Sequence, residues 1–164
     1  MSPVTVTYLE MKSPADLKPR TCPDERFAIR EVTVPQWQLN KFLYYFVGEA
    51  WDWYTRRRWS DEEWQNYVAP PTRRTFLACY DGSIAGYFEL ERGEAGDVEI
   101  VYFGLTPQFV GRRLGGPMLT NAIQTAWEWG ASRVWVHTCT KDHPAALPNY
   151  QARGLRVYDV RSTG

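Results

Sequence analysis

The sequence predicts a mixed α/β fold, a twisted central sheet with helices on both faces, and three observations carry that expectation. Runs of alternating, β-branched character interchange with runs of helical spacing along the whole chain. The segment DVEIVYFGL, residues 97–105, is apolar on both alternating faces apart from Asp97 and Glu99, as a strand covered on both sides must be. The helical runs also carry their own start and stop signals. At 164 residues the chain has the length of one domain with a sizeable core.

Taken in order, residues 4–9 (VTVTYL) alternate as a short strand that could add at a sheet edge, and Pro14, Pro19 and Pro23 then punctuate a loop. This sets residues 1–25 apart as an N-terminal extension, with a single domain over 26–164. Residues 27–32 read as a second extended stretch. Thr33 with Gln36 has the spacing of a capping box, and Leu39, Phe42, Leu43, Phe46, Val47 and Ala50 follow at helical spacing. Ser60 with Glu63 repeats the box, so a short helix is expected over 61–68, closed by Pro70-Pro71. Residues 76–80 and 84–91 form a hairpin through Asp81-Gly82, a dipeptide that accepts positive φ. Strand 97–105 comes next. A helix over about 112–129 presents Leu119, Ala122, Ile123 and Ala126 on one face and stops at Gly130. Residues 133–138 (RVWVHT) make a strand, 145–153 a short helix ended by Gly154, and 155–160 the last strand.

Composition excludes several classes of function. Basic and acidic residues balance at 19 each, so no broad field recruits nucleic acid or an anionic membrane, and neither is expected as a partner. Cys22, Cys79 and Cys139 form no ligand spacing, and two distant histidines add none, so no metal is expected. With no basic segment leading into a long apolar run, the expected location is the cytoplasm. The 8 Trp and 10 Tyr, many of them between residues 37 and 67, fit an aromatic core or an aromatic-walled pocket.

The segment that carries chemistry is LTPQFVGRRLGG, residues 105–116, a glycine-bearing basic turn between a buried strand and an amphipathic helix. The first turn of a helix presents unpaired N–H groups and the positive end of its dipole, which suits a pyrophosphate. Gly111, Gly115 and Gly116 allow close backbone approach, and Arg112 and Arg113 add cationic donors. GxxxxGK[ST] is absent, as is a strict GxGxxG followed by an acidic residue, so neither a Walker NTPase nor a Rossmann dehydrogenase is supported.

The element order, the strand ending FGLTP, the GRRLGG turn and the later DHPAALPNYQARGL, residues 142–155, together resemble the GNAT superfamily of acetyl-CoA-dependent N-acetyltransferases. The similarity runs from about residue 27 to 160 and is strongest over 97–155. It implies a three-layer fold, with the pantetheine arm of acetyl-CoA beside Phe103, Gly104 and Leu105 as an added strand. It implies that residues 111–116, Leu114 among them, cradle the pyrophosphate. Tyr150 matches the family's tyrosine that protonates the departing thiolate. The chain departs from the family pattern at Val110, Arg113 and Gly115 in the turn, and carries His143 where many relatives have asparagine near the pantetheine.

On the acceptor side, Glu99 on the central strand is the candidate base, provided burial or a water relay adapts a carboxylate to that role. His137 is expected to pack or bond locally, and His143 to cap the next helix or touch the coenzyme. Trp51 and Trp53, within WDWYTRRRW, and Tyr102 are expected to wall the acceptor. Arg56, Arg57 and Arg58 read as a solvated run, a selector of acidic groups or a contact to the 3′-phosphate. The expected activity is direct acetyl transfer to a primary amine of a small molecule or peptide. The alternative is a non-catalytic acyl-CoA-binding module. The strand at 4–9 could pair within one chain or between two, so a homodimer belongs to the expectation.

Overall fold

The computed structural model describes residues 3–51 and 53–163. Its strands are β1 Val4–Met11, β2 Phe27–Val32, β3 Arg73–Tyr80, β4 Ser83–Arg92, β5 Val98–Leu105, β6 Val134–Cys139 and β7 Arg156–Thr163. Its α-helices are α1 Trp37–Gly48, α2 Asp61–Val68, α3 Gly115–Glu128 and α4 Ala146–Ala152. The strands form one mixed sheet in the order β2-β3-β4-β5-β6-β1-β7, in which only β5 and β6 run parallel.

Consecutive side chains on a strand point to opposite faces, and β4 shows what covers each face. Phe88 joins the main core, where Met118, Leu119, Ala122, Ile123 and Ala126 of α3 meet Leu9, Ile100 and Val136 of the sheet. Tyr87 belongs to a second cluster with Leu43 and Val47 of α1. Helices therefore cover both faces, as the both-sided apolarity of residues 97–105 predicts.

Several local signals act as written. Asp81 and Gly82 take φ of 50° and 86° in the β3–β4 turn, and the Ser60–Glu63 capping box forms at α2. Two do not. Thr33 is not the cap of α1, which begins after Gln36 without a side-chain cap. Val34 precedes Pro35, and the proline ring disfavours helical backbone in the residue before it, so a helix cannot start at Thr33. Similarly, α3 begins at Gly115 rather than near 112, because Arg113 takes φ of 63°.

The first strand also differs from expectation. It lies inside the sheet, antiparallel to β6 on one side and β7 on the other. Its Leu9 and Met11 are fully buried in the main core. Two-sided pairing with strands more than a hundred residues away leaves no mark in a local pattern.

The feature that positions the site is a bulge in β5. Glu89 of β4 pairs with Tyr102 and Leu90 with Ile100, so Val101 has no opposite number. A bulge bends its strand and increases the local twist. On the other edge of β5, pairing with β6 runs through Val98↔Val134 and Glu99↔Trp135 and then stops. Past that point the two parallel strands diverge and leave a wedge in the sheet.

Candidate functional site

The wedge opens into a cavity of about 1010 Å³ that crosses the sheet, from the start of α3 to the segment linking α1 and α2. Phe103, Gly104 and Leu105, at the free end of β5, line it directly. Their unpaired main-chain edge can accept an extended ligand as a short extra strand.

One end gathers unpaired N–H groups and cationic side chains. Gly111 (φ 82°) and Arg113 (φ 63°) alternate with residues of ordinary handedness, and Leu114 is right-handed helical. Alternation of this kind turns successive N–H groups toward one point, immediately before the free N–H groups of α3. Arg113 is one of two non-glycine residues with positive φ among the described residues, and such strain accumulates at ligand sites. Pro117 falls in the first turn of α3, where its missing N–H costs nothing. Gly111, Arg113, Leu114, Gly115 and Gly116 all line the cavity. Arg112 does not share that wall: its guanidinium lies over the rings of Tyr80 and Phe109, 4.9 and 5.0 Å from their centroids.

Two arginines that the motif does not include complete this end. A Cβ at Gly116 would lie 2.6 Å from Arg153 Nη1 and 2.9 Å from Arg20 Cδ, so both side chains converge on the start of α3. Backbone bonds hold them there: Arg20 N–H donates to Thr120 Oγ1 (2.9 Å) and Lys18 N–H to the Arg153 carbonyl (2.9 Å). Arg153 Nε and Nη1 are buried and have no protein acceptor. Burial, then the neighbouring charge of Arg20, pulls the Arg153 pKa below its ordinary value. Orphaned cationic donors beside a helix start form a set that phosphate oxygens satisfy. The residues present therefore fit the pyrophosphate or 3′-phosphate of a coenzyme A molecule.

Tyr150 sits further along the wall, buried, with its ring 6.1 Å from that of Phe103 in an edge-to-face contact. Asn149 fixes its helix by donating from Nδ2 to the Gly115 carbonyl at 3.1 Å. Burial, reinforced by Asp142, pushes the phenol well above its usual value, so it is protonated at neutral pH. His143 Nδ1 accepts the Ala145 N–H at 2.9 Å, and the His143 ring lies 4.6 Å from that of Trp51. That contact joins the two banks of the cavity.

The opposite end is aromatic. Trp53 and Tyr102 pack at 4.7 Å and line the cavity with Trp51. Tyr102 Oη shares a 2.8 Å hydrogen bond with Thr55 Oγ1, and burial pushes its pKa up to about 12. Arg56 is not a solvated charge: it is 5% exposed and its Nη1 lies 3.1 Å from Glu89 Oε1. Burial alone would lower its pKa, but the Glu89 charge together with the Tyr67, Tyr102 and Tyr87 hydroxyls outweighs it and the net shift is upward. Its guanidinium is also within 6 Å of the rings of Trp59, Trp64, Tyr67 and Tyr102. So occupied, it serves as a strut beneath the pocket and has little left to offer an acidic ligand.

Glu99 lies where β5 and β6 part, opposite Glu91 across the β4–β5 ladder. Burial, then the like charges of Glu91 and Asp97, raise its pKa to about 7 against the pull of Arg56. It is set back from the cavity wall. The residue between it and the cavity is His137, whose Nε2 is 3.7 Å from Glu99 Oε2.

The fold thus brings together nearly every residue singled out from sequence, turns Arg112 aside, sets Glu99 back from the wall and adds Arg20 and Arg153. Among the described residues there is no group of three potential metal ligands, and no helix is long and apolar enough to cross a membrane.

The family model described as Acetyltransferase (GNAT) family matches residues 29–155. An uncharacterized N-acetyltransferase of Mycobacterium tuberculosis is 31% identical over 103 residues, 60% of this chain and 66% of the relative. A counterpart from Mycobacterium bovis gives the same figures, so the chain spans just under two thirds of the curated relatives it matches. Among solved structures, a GCN5-related N-acetyltransferase from Kribbella flavida superposes with TM-score 0.69 at 18% identity, over 95% of this chain and 55% of that one. A GNAT family acetyltransferase from Elizabethkingia anophelis with acetyl-CoA bound gives 0.59 at 19% identity, over 83% and 80%.

Proposed function

The chain belongs to the GNAT acetyltransferase family, and from that premise we propose that it moves an acetyl group from acetyl-CoA directly to a primary amine of a small molecule or peptide. The observation that carries this reading is the parted β5–β6 wedge, with orphaned cationic donors at one end, a buried protonated tyrosine on its wall and an aromatic pocket at the other.

In this reading the turn at residues 111–116, with Arg20 and Arg153, holds the phosphates. Phe103, Gly104 and Leu105 hold the pantetheine through main-chain hydrogen bonds, and His143 borders it. The thioester then lies in the wedge. Trp51, Trp53 and Tyr102 wall the acceptor, whose neutral amine attacks the thioester carbonyl. A carbon–nitrogen bond forms, the carbon–sulfur bond breaks, and the Tyr150 hydroxyl gives its proton to the leaving sulfur. A phenol of raised pKa can do this because the same dry wall also destabilises the thiolate. Glu99 is the terminal acceptor of the amine proton.

Coenzyme binding is checked by thermal unfolding with acetyl-CoA. At about 100 times the dissociation constant, linkage gives about 2.7 kcal/mol, a rise of about 5 to 10 °C for a chain of this size. Arg153→Gln should weaken binding by about tenfold and flatten its salt dependence, since a charge-assisted contact contributes 1.5–3 kcal/mol as a rough range. An unchanged dissociation constant in that variant would remove Arg153 from the phosphate site.

A further inference from the structure

Resting on this reading of the wedge, we propose that His137 is the catalytic base that takes the acceptor's proton, and that Glu99 is a positioning and proton-accepting residue acting through it.

Geometry carries the proposal. On β6, Val136 enters the main core while His137 points to the opposite face. That face is the one onto which Tyr102 turns from β5, packed against α1 and Trp53. His137 lines the cavity where the strands part, and its side chain is 47% exposed against 20% for Glu99. The order from cavity to interior is therefore imidazole, then carboxylate. Their 3.7 Å separation is slightly longer than a hydrogen bond, the kind of spacing that a filled site tightens.

The charged and titratable neighbours come from every side. Tyr8 of β1 lies against the ring at 5.5 Å, with the Arg161 guanidinium of β7 over the far side of Tyr8. Asp142, held by the Thr138 hydroxyl and the Cys139 N–H, faces His137 from the turn after β6. Trp135, the other aromatic neighbour, donates from Nε1 to Asp97. Glu91 and Arg56 act on Glu99 from β4 and the α1–α2 segment. Burial lowers the His137 pKa despite Asp142, so the imidazole is neutral, and basic, at neutral pH.

The Nε2–H of neutral His137 faces Glu99, and Nδ1 carries the lone pair. As the amine nitrogen bonds to the thioester carbon, its proton passes to Nδ1. The imidazolium then gives its Nε2 proton to Glu99; after the product leaves, Nδ1 releases its proton to solvent and Glu99 returns the other to Nε2, so both residues regain their starting state. Tyr150, having protonated the sulfur, recovers its proton from solvent.

The test has two arms. The chain holds only two histidines, so the His137 ring resonance is identified by its loss in His137→Gln. In Glu99→Gln that resonance should lose the step near pH 7 that reports Glu99 ionising beside it, because the amide has no proton to give up. An unchanged titration would break the pair. In kinetics, His137→Gln should lower kcat by about 100-fold or more, with the acetyl-CoA dissociation constant within about twofold, and should abolish the rise of kcat/KM with pH. Thermal unfolding confirms that the variant is folded. A variant keeping kcat within about threefold would overturn the role of His137 while leaving acetyl transfer intact. A parent chain that binds acetyl-CoA but acylates no amine would remove the functional reading and this inference together.

Discussion

Tyr150→Phe is expected to lower kcat for acetyl transfer by about 100-fold or more while leaving the affinity for acetyl-CoA within about twofold. The change removes one oxygen and keeps the ring, so the edge-to-face contact with Phe103 survives. The Asn149 bond that joins α4 to α3 is untouched as well. Stability should therefore change little, and the loss should fall on the chemical step. Because burial holds the phenol well above its ordinary value, the parent enzyme should show no loss of rate from Tyr150 ionising below about pH 10. The rising limb instead belongs to the Glu99–His137 pair, with Glu99 ionising near pH 7, so activity should increase as pH rises through neutrality. A variant that retains full kcat would make Tyr150 a packing residue.

The largest effect on stability is expected at Glu89. Replacing it by Ala should destabilise the fold by about 3 to 5 kcal/mol, or roughly 10 °C in Tm. The magnitude follows from what is left behind. Glu89 is 2% exposed and accepts from Arg56 Nη1 (3.1 Å), Tyr67 Oη (2.7 Å) and Asn40 Nδ2 (2.9 Å). Without it Arg56 stays buried, its charge uncompensated, and surrounding rings recover only a fraction of the lost interaction. Replacing both residues, Arg56→Leu with Glu89→Leu, should recover much of the stability, because a buried pair contributes little over apolar residues of similar volume. Differential scanning calorimetry of the single and double variants reads this directly. Equal losses in both would mean that the charge is not what matters.

How much of this was legible in the chain follows from the range of each signal. Turns and stops at Asp81-Gly82, Ser60, Gly130 and Gly154 depend on neighbours a few residues apart, and each acts as the sequence suggests. The GRRLGG turn is equally local, so the donors it offers to an anion could be read from its residues. What the sequence hides is long-range. Arg20 and Arg153 meet across more than a hundred residues, and β1 finds its place by pairing on both sides with distant strands. The bulge at Val101 adds one residue to a run that reads as an unbroken apolar strand, yet it decides which side chains share a face. Arg56 belongs to an arginine triplet that looks solvated, and only the placement of Glu89 reveals it as buried. His137 and Glu99 become neighbours only because two parallel strands start in register before they part.

The most direct test of the account is amine-dependent thiol release. The purified chain is mixed with acetyl-CoA and a panel of alkyl diamines, arylethylamines and peptides with free α-amino groups, following free coenzyme A and the mass of each amine together. The account predicts thiol release that requires an amine, matches the acetylated product one for one, and falls at least about 100-fold in Tyr150→Phe. Tight acetyl-CoA binding with no acetylated amine and no thiol release above the protein-free rate would contradict it, and would make the wedge a binding site rather than an active site.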